Sequence, residues 1–292
     1  MTAALALMTG ALLIAMVAPV ALSRIADRGG DPAAALTGWA AVLTAVVVSA
    51  VSGAALLLVG DRPHPHEEHL HACWAVFGHI RWHPLDELAG AAIAALLGVA
   101  AVRACLFVRR GLRAQRRVHQ AHLLVWLSFT RPQNDGVLWL EHDKPFAYSV
   151  PGRPSLIVAS TALNLLPAGY RDAVLHHERH HLRRRHHLLV IGARAIRHAL
   201  VPLPLFIRLP AQVESLTELA ADKHASQQCG LDAVRGALAA IGPATAAGSR
   251  LRHLAEPVPA QRLKRREFFH RATATLPALS ATALSLLAAL TC

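Results

Sequence analysis

The sequence is poor in charged and aromatic residues: of its 292 residues, 16% are charged and 5% are aromatic. Hydrophobic residues reach 54%, which excludes a disordered chain and exceeds the content expected of a soluble domain. Acidic residues are the scarcer charge, 18 against 30 Lys and Arg, so the net charge is +12. A basic nucleic-acid-binding domain would carry this charge without long apolar runs. The combination indicates apolar membrane spans flanked by basic loops.

Cysteine is also scarce, whereas histidine is abundant. The four cysteines are Cys73, Cys105, Cys229 and Cys292. They lack C-x-x-C spacing, so the sequence predicts neither a disulfide framework nor a cysteine zinc site. The 19 histidines are the composition feature that requires a functional interpretation.

Four apolar runs are long enough to cross a hydrocarbon core, which needs roughly 20 residues. They are about Ala3–Leu22, Leu36–Gly60, Leu88–Val108 and Ala272–Leu290. The first could instead be a cleaved signal peptide, but no Lys or Arg precedes it. Arg103 lies near the end of the third run, where its side chain can reach the interface. We expect a mainly α, integral-membrane protein with about four transmembrane helices.

Basic residues flank these runs unequally. They are frequent after the third run and before the fourth, and rare between the second and third. The positive-inside rule then places both termini outside and residues 109–271 in the cytoplasm. The expected organisation is three membrane helices in residues 1–108, with a histidine-rich outer loop at 61–87, a cytoplasmic domain at 109–271, and a last helix at 272–292. The predicted location is the plasma membrane.

The cytoplasmic insert is predicted to be an α+β domain. Three short apolar runs bounded by turn residues predict a small antiparallel sheet. They are Val137–Glu141, Phe146–Val150 and Ser155–Ala159. Apolar periodicity predicts helices as well, with Ser160 or Thr161 capping the first. The helices cover about Gly169–His187, Pro210–Gln228 and Leu231–Ile241. Leu188–Leu209 is apolar but broken by Arg and Pro, which fits either a membrane-surface element or core packing.

A His-Glu-Arg-His-His sequence that begins at His177 carries the H-E-x-x-H pattern on a predicted helix. Histidines four residues apart project from one helix face, close enough to bind one Zn²⁺ together. The glutamate after the first histidine lies beside the metal and can take a proton from an activated water. His176 and His180 are also four apart, but that register leaves no carboxylate in the base position. We predict His177 and His181 as ligands and Glu178 as general base and acid.

The third ligand has several candidates. His187 would complete H-E-x-x-H-x-x-G-x-x-H, but Arg184 replaces the glycine and no methionine follows to form a Met-turn. Glu218 and Asp222 lie four apart on one face of a predicted helix. We predict that Glu218 binds zinc and that Asp222 fixes the tautomer of a ligand imidazole. Glu214 is the alternative ligand, but only Glu218 has an aspartate one turn later.

H-E-x-x-H followed about 40 residues later by E-x-x-x-D, in an insert between membrane helices, resembles the BlaR-type membrane zinc metallopeptidases and the related HtpX-type peptidases. Residues 146–160 and 177–189 are similar to the first family as well. The resemblance covers nearly the whole chain. It implies a gluzincin-like fold, one catalytic zinc ion, and regulated cleavage of a cytoplasmic protein, for example a repressor, or of the enzyme itself. No penicillin-binding sensor domain follows the last span, so β-lactam sensing is not expected.

The resemblance further implies that an edge strand pairs with the substrate backbone, near Val137–Glu141 or Ser155–Ser160. His224 is a candidate for stabilising the oxyanion. The expected function is that of a membrane zinc metalloendopeptidase, with a protein or peptide substrate and the lipid bilayer as partners and no direct contact with nucleic acid.

Two other functions are compatible with the sequence. One is a non-catalytic membrane transducer that keeps the fold and the metal, although such a protein has no physical need of the base Glu178. The other is a metal-responsive or metal-handling protein that uses the six histidines of residues 61–87, which could bind copper, zinc or nickel or titrate near neutral pH. An ordinary polar loop is the simpler interpretation. Spans without paired intramembrane acids or histidines argue against transport.

Overall fold

The computed structural model describes residues 2–27, 31–59, 84–129, 136–200 and 202–241, together with residues 248, 250, 251 and 254. This part of the chain is mostly helical and contains one small sheet. The predicted fourth span at 272–290 and most of the histidine-rich loop lie outside the described residues.

Three helices are long and apolar enough to cross a membrane. They are α1 (Thr2–Asp27), α2 (Pro32–Val59) and α3 (Pro84–Phe129). Their apolar sections lie within Ala4–Arg24, Pro32–Leu58 and Glu87–Val125. α1 and α2 form an antiparallel pair, because Gly38 meets Leu22 at one end and Gly53 meets Met8 at the other. α3 runs through residue 108 without a break, so the predicted third span and the basic segment after it are one helix.

The sheet consists of β1 (Val137–Leu140), β2 (Ala147–Val150) and β3 (Leu156–Ser160), in the order β1-β3-β2. β1 is parallel and β2 antiparallel to β3, so the sheet is mixed and the prediction of an antiparallel sheet is wrong. β3 is buried at all five positions, which suits the central position of a sheet that is covered on both faces. Both sides of β3 are paired, and the prediction of Ser155–Ser160 as a substrate-binding edge is therefore also wrong.

Four helices follow a 3₁₀ turn at Thr161–Leu165. They are α4 (Ala168–Arg183), α5 (His186–Ala199), α6 (Pro204–Cys229) and α7 (Leu231–Ile241). The helix predicted to end at His187 ends earlier, because Arg185 adopts a left-handed conformation (φ 53°) that turns the chain into α5. Ser160 does not cap a helix with its side chain; its hydroxyl accepts a hydrogen bond from the Phe146 N–H at 3.0 Å.

The main core joins α5 and α6 to the first two apolar helices. Leu205, Leu209 and Leu216 of α6 are buried in one cluster with Ala15 of α1 and Trp39 of α2. The apolar stretch predicted at Leu188–Leu209 is therefore part of a core and does not lie only at a surface. α6, which carries the predicted ligand Glu218, is packed directly on helices that could cross a membrane.

The sheet is held to α3 by a close contact. His119 of α3 is 7% exposed, and its ring nitrogens have no hydrogen-bond partner in the part of the chain that the structure describes. Its ring lies against Gly152, in the turn between β2 and β3, where a Cβ atom would overlap it.

We expect Gly152→Ala to lower the free energy of unfolding by about 1–3 kcal/mol, because the His119 ring must leave its buried position. Gly192→Ala in α5 is the control, since no atom lies within 4 Å of the added Cβ and alanine favours a helix. Thermal unfolding in detergent measures the difference. Equal Tm values for the two variants would contradict the contact.

Candidate metal centre

Two packed helices bring the predicted metal ligands together. α4 carries His177 and His181 on one face, and α6 carries Glu218. Ala173 of α4 and Ala225 of α6 are both buried in one cluster at this helix pair. Small side chains at these positions allow the two helix backbones to approach closely.

The ligand atoms converge at distances that fit one metal ion. His177 Nε2 and His181 Nε2 are 3.0 Å apart. The Glu218 carboxylate lies 3.5 Å from the first nitrogen through Oε2 and 3.3 Å from the second through Oε1. A tetrahedral zinc ion with its ligands at 2.0–2.2 Å would separate the ligand atoms by about 3.3 Å. Among the described residues, these three side chains form the group that could hold a metal ion.

The alternative ligands are placed elsewhere. Glu214 lies one turn before Glu218 and accepts hydrogen bonds from Arg194, at 2.9 Å from Nε and 2.7 Å from Nη2. His187 belongs to α5, beyond the turn at Arg185. Neither side chain is a member of the metal-binding group. The geometry therefore agrees with the choice of Glu218.

The second ring nitrogen of each histidine is held as well. His177 Nδ1 lies 2.9 Å from Asp222 Oδ1, as the predicted role of Asp222 requires. His181 Nδ1 lies 2.9 Å from Nδ1 of His186, a partner that sequence reasoning missed. With these Nδ1 atoms donating, both Nε2 lone pairs would face Glu218 once the two rings are neutral, as metal ligands must be.

Arg250 is the other residue that the sequence did not reveal. Its Nε and Nη2 donate to Asp222 at 2.7 and 2.5 Å, and its Nη1 lies 3.2 Å from Glu218 Oε2. Asp222 is 1% exposed, so its charge requires such a partner. Nothing in the sequence distinguishes Arg250 from the many other arginines. His186 belongs to a run of histidines, and its spacing from His181 did not indicate that the two rings would be in contact.

The predicted base Glu178 faces the sheet. Burial raises the pKa of Glu178, although the charge of His177 and hydrogen bonds from the side chain and backbone of Ser149 oppose that effect. Ser149 lies on β2. The Ser160 N–H donates a hydrogen bond to the Phe146 carbonyl, so the backbone of Phe146 points towards β3. In an antiparallel pair, only every second residue of a strand bonds to a given neighbour. The backbone of Ser149, three residues after Phe146, therefore points away from β3. Glu178 thus lies beside an edge of β2 that no other strand pairs with in the part of the chain that the structure describes.

One proton is held between the two ligand histidines. Burial lowers the pKa of His177, but hydrogen bonds to Asp222 and Glu218 outweigh it and raise the pKa to about 9. Burial, together with the charge of His177, lowers the pKa of His181 to about 4. With pKa values in this order, His177 would donate and His181 would accept in the 3.0 Å contact. A metal ion has to displace that proton.

His224, the candidate for stabilising an oxyanion, contacts other histidines. Its ring stacks on His180 with centroids 4.5 Å apart and lies 6.5 Å from the ring of His176. Both of these histidines are on α4. They neighbour His177 and His181 in the chain but are not members of the metal-binding group. The predicted role of His224 stays a prediction.

A cavity of about 340 Å³ adjoins the metal-binding group. Its lining includes His181 and Glu218, Ser149 of β2, and Ile191 and Arg194 of α5. The cavity therefore connects the open edge of β2 with the metal ligands and with the surface of α5, and it could accept side chains of a bound peptide.

Comparison with protein-family models, with curated proteins and with solved structures finds no match to this chain. The resemblance to BlaR-type and HtpX-type peptidases stays a prediction. The geometry of the metal-binding group is therefore the observation that bears on function.

We expect Zn²⁺ binding at neutral pH to release about one proton, because His177 is protonated in the metal-free protein and must be neutral as a ligand. Affinity should rise about tenfold per pH unit until the pH passes the pKa of His177. Calorimetric titration in two buffers of different ionisation enthalpy measures the release, and Asp222→Asn should reduce it. Identical apparent enthalpies in both buffers would show that no proton is displaced.

We expect Arg250→Met to lower the free energy of unfolding of the metal-free protein by about 3 kcal/mol, because the buried charge of Asp222 loses its cation. The double variant Arg250→Met/Asp222→Asn should recover part of this loss. Thermal unfolding of the two single variants and the double variant gives the coupling. Additive losses would mean that the two side chains do not interact.

Proposed function

We propose that this chain is an integral-membrane zinc metalloendopeptidase that cleaves a cytoplasmic or membrane protein. The observation that carries the proposal is the convergence of His177 Nε2, His181 Nε2 and the Glu218 carboxylate within 3.5 Å of one another. Glu178 adjoins a ligand in the chain and lies at an open strand edge, as a base acting on a bound peptide requires.

The donor set favours a catalytic zinc ion over a structural one. Two imidazoles and one carboxylate leave a fourth position for water or substrate, whereas structural zinc sites are closed and rich in thiolates. The Glu218 side chain is 41% exposed, so the group is open towards the cavity. Zinc in such a site acidifies a water and polarises the carbonyl of the scissile bond.

The residues around the metal have separate tasks in this proposal. Glu178 accepts the proton of the attacking water and delivers it to the leaving amine, and its raised pKa suits both steps. Asp222 and His186 keep the two ligand imidazoles in the tautomer that leaves Nε2 free. The unpaired edge of β2 aligns the peptide as an added strand next to Ser149.

The membrane location rests on the three apolar helices and on the distribution of basic residues. Arginines are concentrated in the second half of α3, on the side from which the chain enters the sheet. The positive-inside rule therefore favours a metal centre on the cytoplasmic side.

We expect Glu178→Ala to reduce peptide-bond cleavage by about 10²–10⁴-fold while the zinc content stays equal to that of the wild type, because the residue moves protons and does not bind the metal. Self-cleavage and cleavage of fluorescein-labelled casein by the zinc-loaded protein in detergent provide the measurement. Glu218→Gln should lose both zinc and cleavage.

Asp143→Ala is the matched control, since Asp143 is exposed between β1 and β2 and is not a member of the metal-binding group. It should keep zinc and activity. A zinc-loaded wild type that cleaves nothing, or a Glu178→Ala variant as active as the wild type, would refute the peptidase proposal. The first result would favour the transducer.

A further inference from the structure

The start of α6 lies deep among the apolar helices. Leu205 is fully buried in one cluster with Ala15 of α1 and Val46 of α2. Ala15 and Val46 are near the middle of the apolar sections Ala4–Arg24 and Pro32–Leu58. In a bilayer, the turn between α5 and α6 would therefore lie well below the surface.

The other end of α6 lies where α2 begins. Lys223 Nζ is 3.0 Å from the Asp31 carboxylate, just before the first residue of α2. Leu205 and Lys223 are 18 residues apart, which corresponds to about 27 Å of helix. This length exceeds half of the hydrocarbon thickness of roughly 30 Å, so the first turn of α6 would reach at least the middle of the bilayer. α6 thus runs from the depth of the core to the surface, and Glu218 lies near its surface end.

A backbone carbonyl at the C-terminal end of α5 accepts a hydrogen bond from a side chain in the apolar section of α3. Arg103 Nη2 donates to the carbonyl of His198 at 2.9 Å, and the Phe107 ring is 5.1 Å from the His198 ring. Carbonyls in the last turn of a helix have no intrahelical partner. In lipid such a group must be satisfied by protein. The contact also explains a charged residue in an otherwise apolar segment.

We propose that residues 190–200 and 202–213 belong to a re-entrant hairpin, in which α5 enters the bilayer from the cytoplasmic side and α6 returns to the same side without crossing. The hairpin rests on the membrane location given above as part of the proposed function. Ile207, 45% exposed near the turn, faces lipid. Arg197 and Arg208 are also exposed, so in this arrangement their long side chains would have to extend towards the headgroups.

The hairpin places the metal centre at the bilayer surface. The Arg194–Glu214 ion pair lies one turn deeper than Glu218 and lines the same cavity. A polypeptide that reaches the metal therefore approaches along the membrane, and the substrate class that fits is a segment next to, or emerging from, the lipid.

Depth measurement with spin labels tests the hairpin. Ile207→Cys is labelled in a full-length chain whose four native cysteines are serine, in phosphatidylcholine–phosphatidylglycerol vesicles. Collision rates with oxygen and with a chelated nickel complex are compared. Val48→Cys in α2 and Leu96→Cys in α3, 53% and 69% exposed, are the membrane references. Leu165→Cys, 86% exposed in the 3₁₀ turn, is the water reference. Zinc content equal to the wild type shows that each labelled chain is folded.

The expected ratio of oxygen to nickel collisions at Ile207 is about tenfold above that at Leu165 and similar to the ratios at Val48 and Leu96, because a polar chelate is excluded from hydrocarbon. If Val48 and Leu96 resemble membrane positions and Ile207 resembles Leu165, the hairpin is overturned while the membrane location stands. If Val48 and Leu96 resemble Leu165, the membrane location itself is wrong and the hairpin falls with it.

Discussion

The buried carboxylate of Asp222 connects the groups that the metal centre needs in fixed positions. Arg250 donates a hydrogen bond to each of its oxygens, and Oδ1 also receives Nδ1 of His177. Arg250, which also lies 3.2 Å from Glu218, gives the buried charge of Asp222 an opposite neighbour. The contact between Asp222 and His177 turns His177 Nε2 towards His181 and Glu218. The orientation of the ligand thus depends on a residue that does not bind the metal.

α6 links this centre to the apolar helices. Its first half is buried against α1 and α2 through residues such as Leu205 and Leu209, and its second half carries Glu218 and Asp222 against α4. Because both halves belong to one continuous helix, a shift of α6 against α1 and α2 would also move Glu218 relative to the histidines. The structure thus contains a direct mechanical path between the helices that could cross a membrane and the group that could hold a metal ion.

Local rules explain which features could be predicted. The H-E-x-x-H spacing depends only on the helical repeat, so His177 and His181 could be assigned without knowing the fold. α7 has the predicted bounds, Leu231–Ile241, since its apolar periodicity is regular. The three strands were located within a few residues, but their order was not. The central place of β3 follows from burial on both faces, which depends on the helices that cover the sheet.

The sequence by itself determined the chemistry that is available: two imidazoles one helical turn apart, a base between them, an E-x-x-x-D pair on a second helix, and apolar segments long enough to cross a bilayer. Only the tertiary structure decided which groups meet. Arg250 and His186 join the centre, and the broken apolar stretch after α4 becomes part of the core with α1 and α2. The physical reason is that ligand spacing is a property of one helix, whereas charge compensation and burial are properties of the surfaces that several helices share.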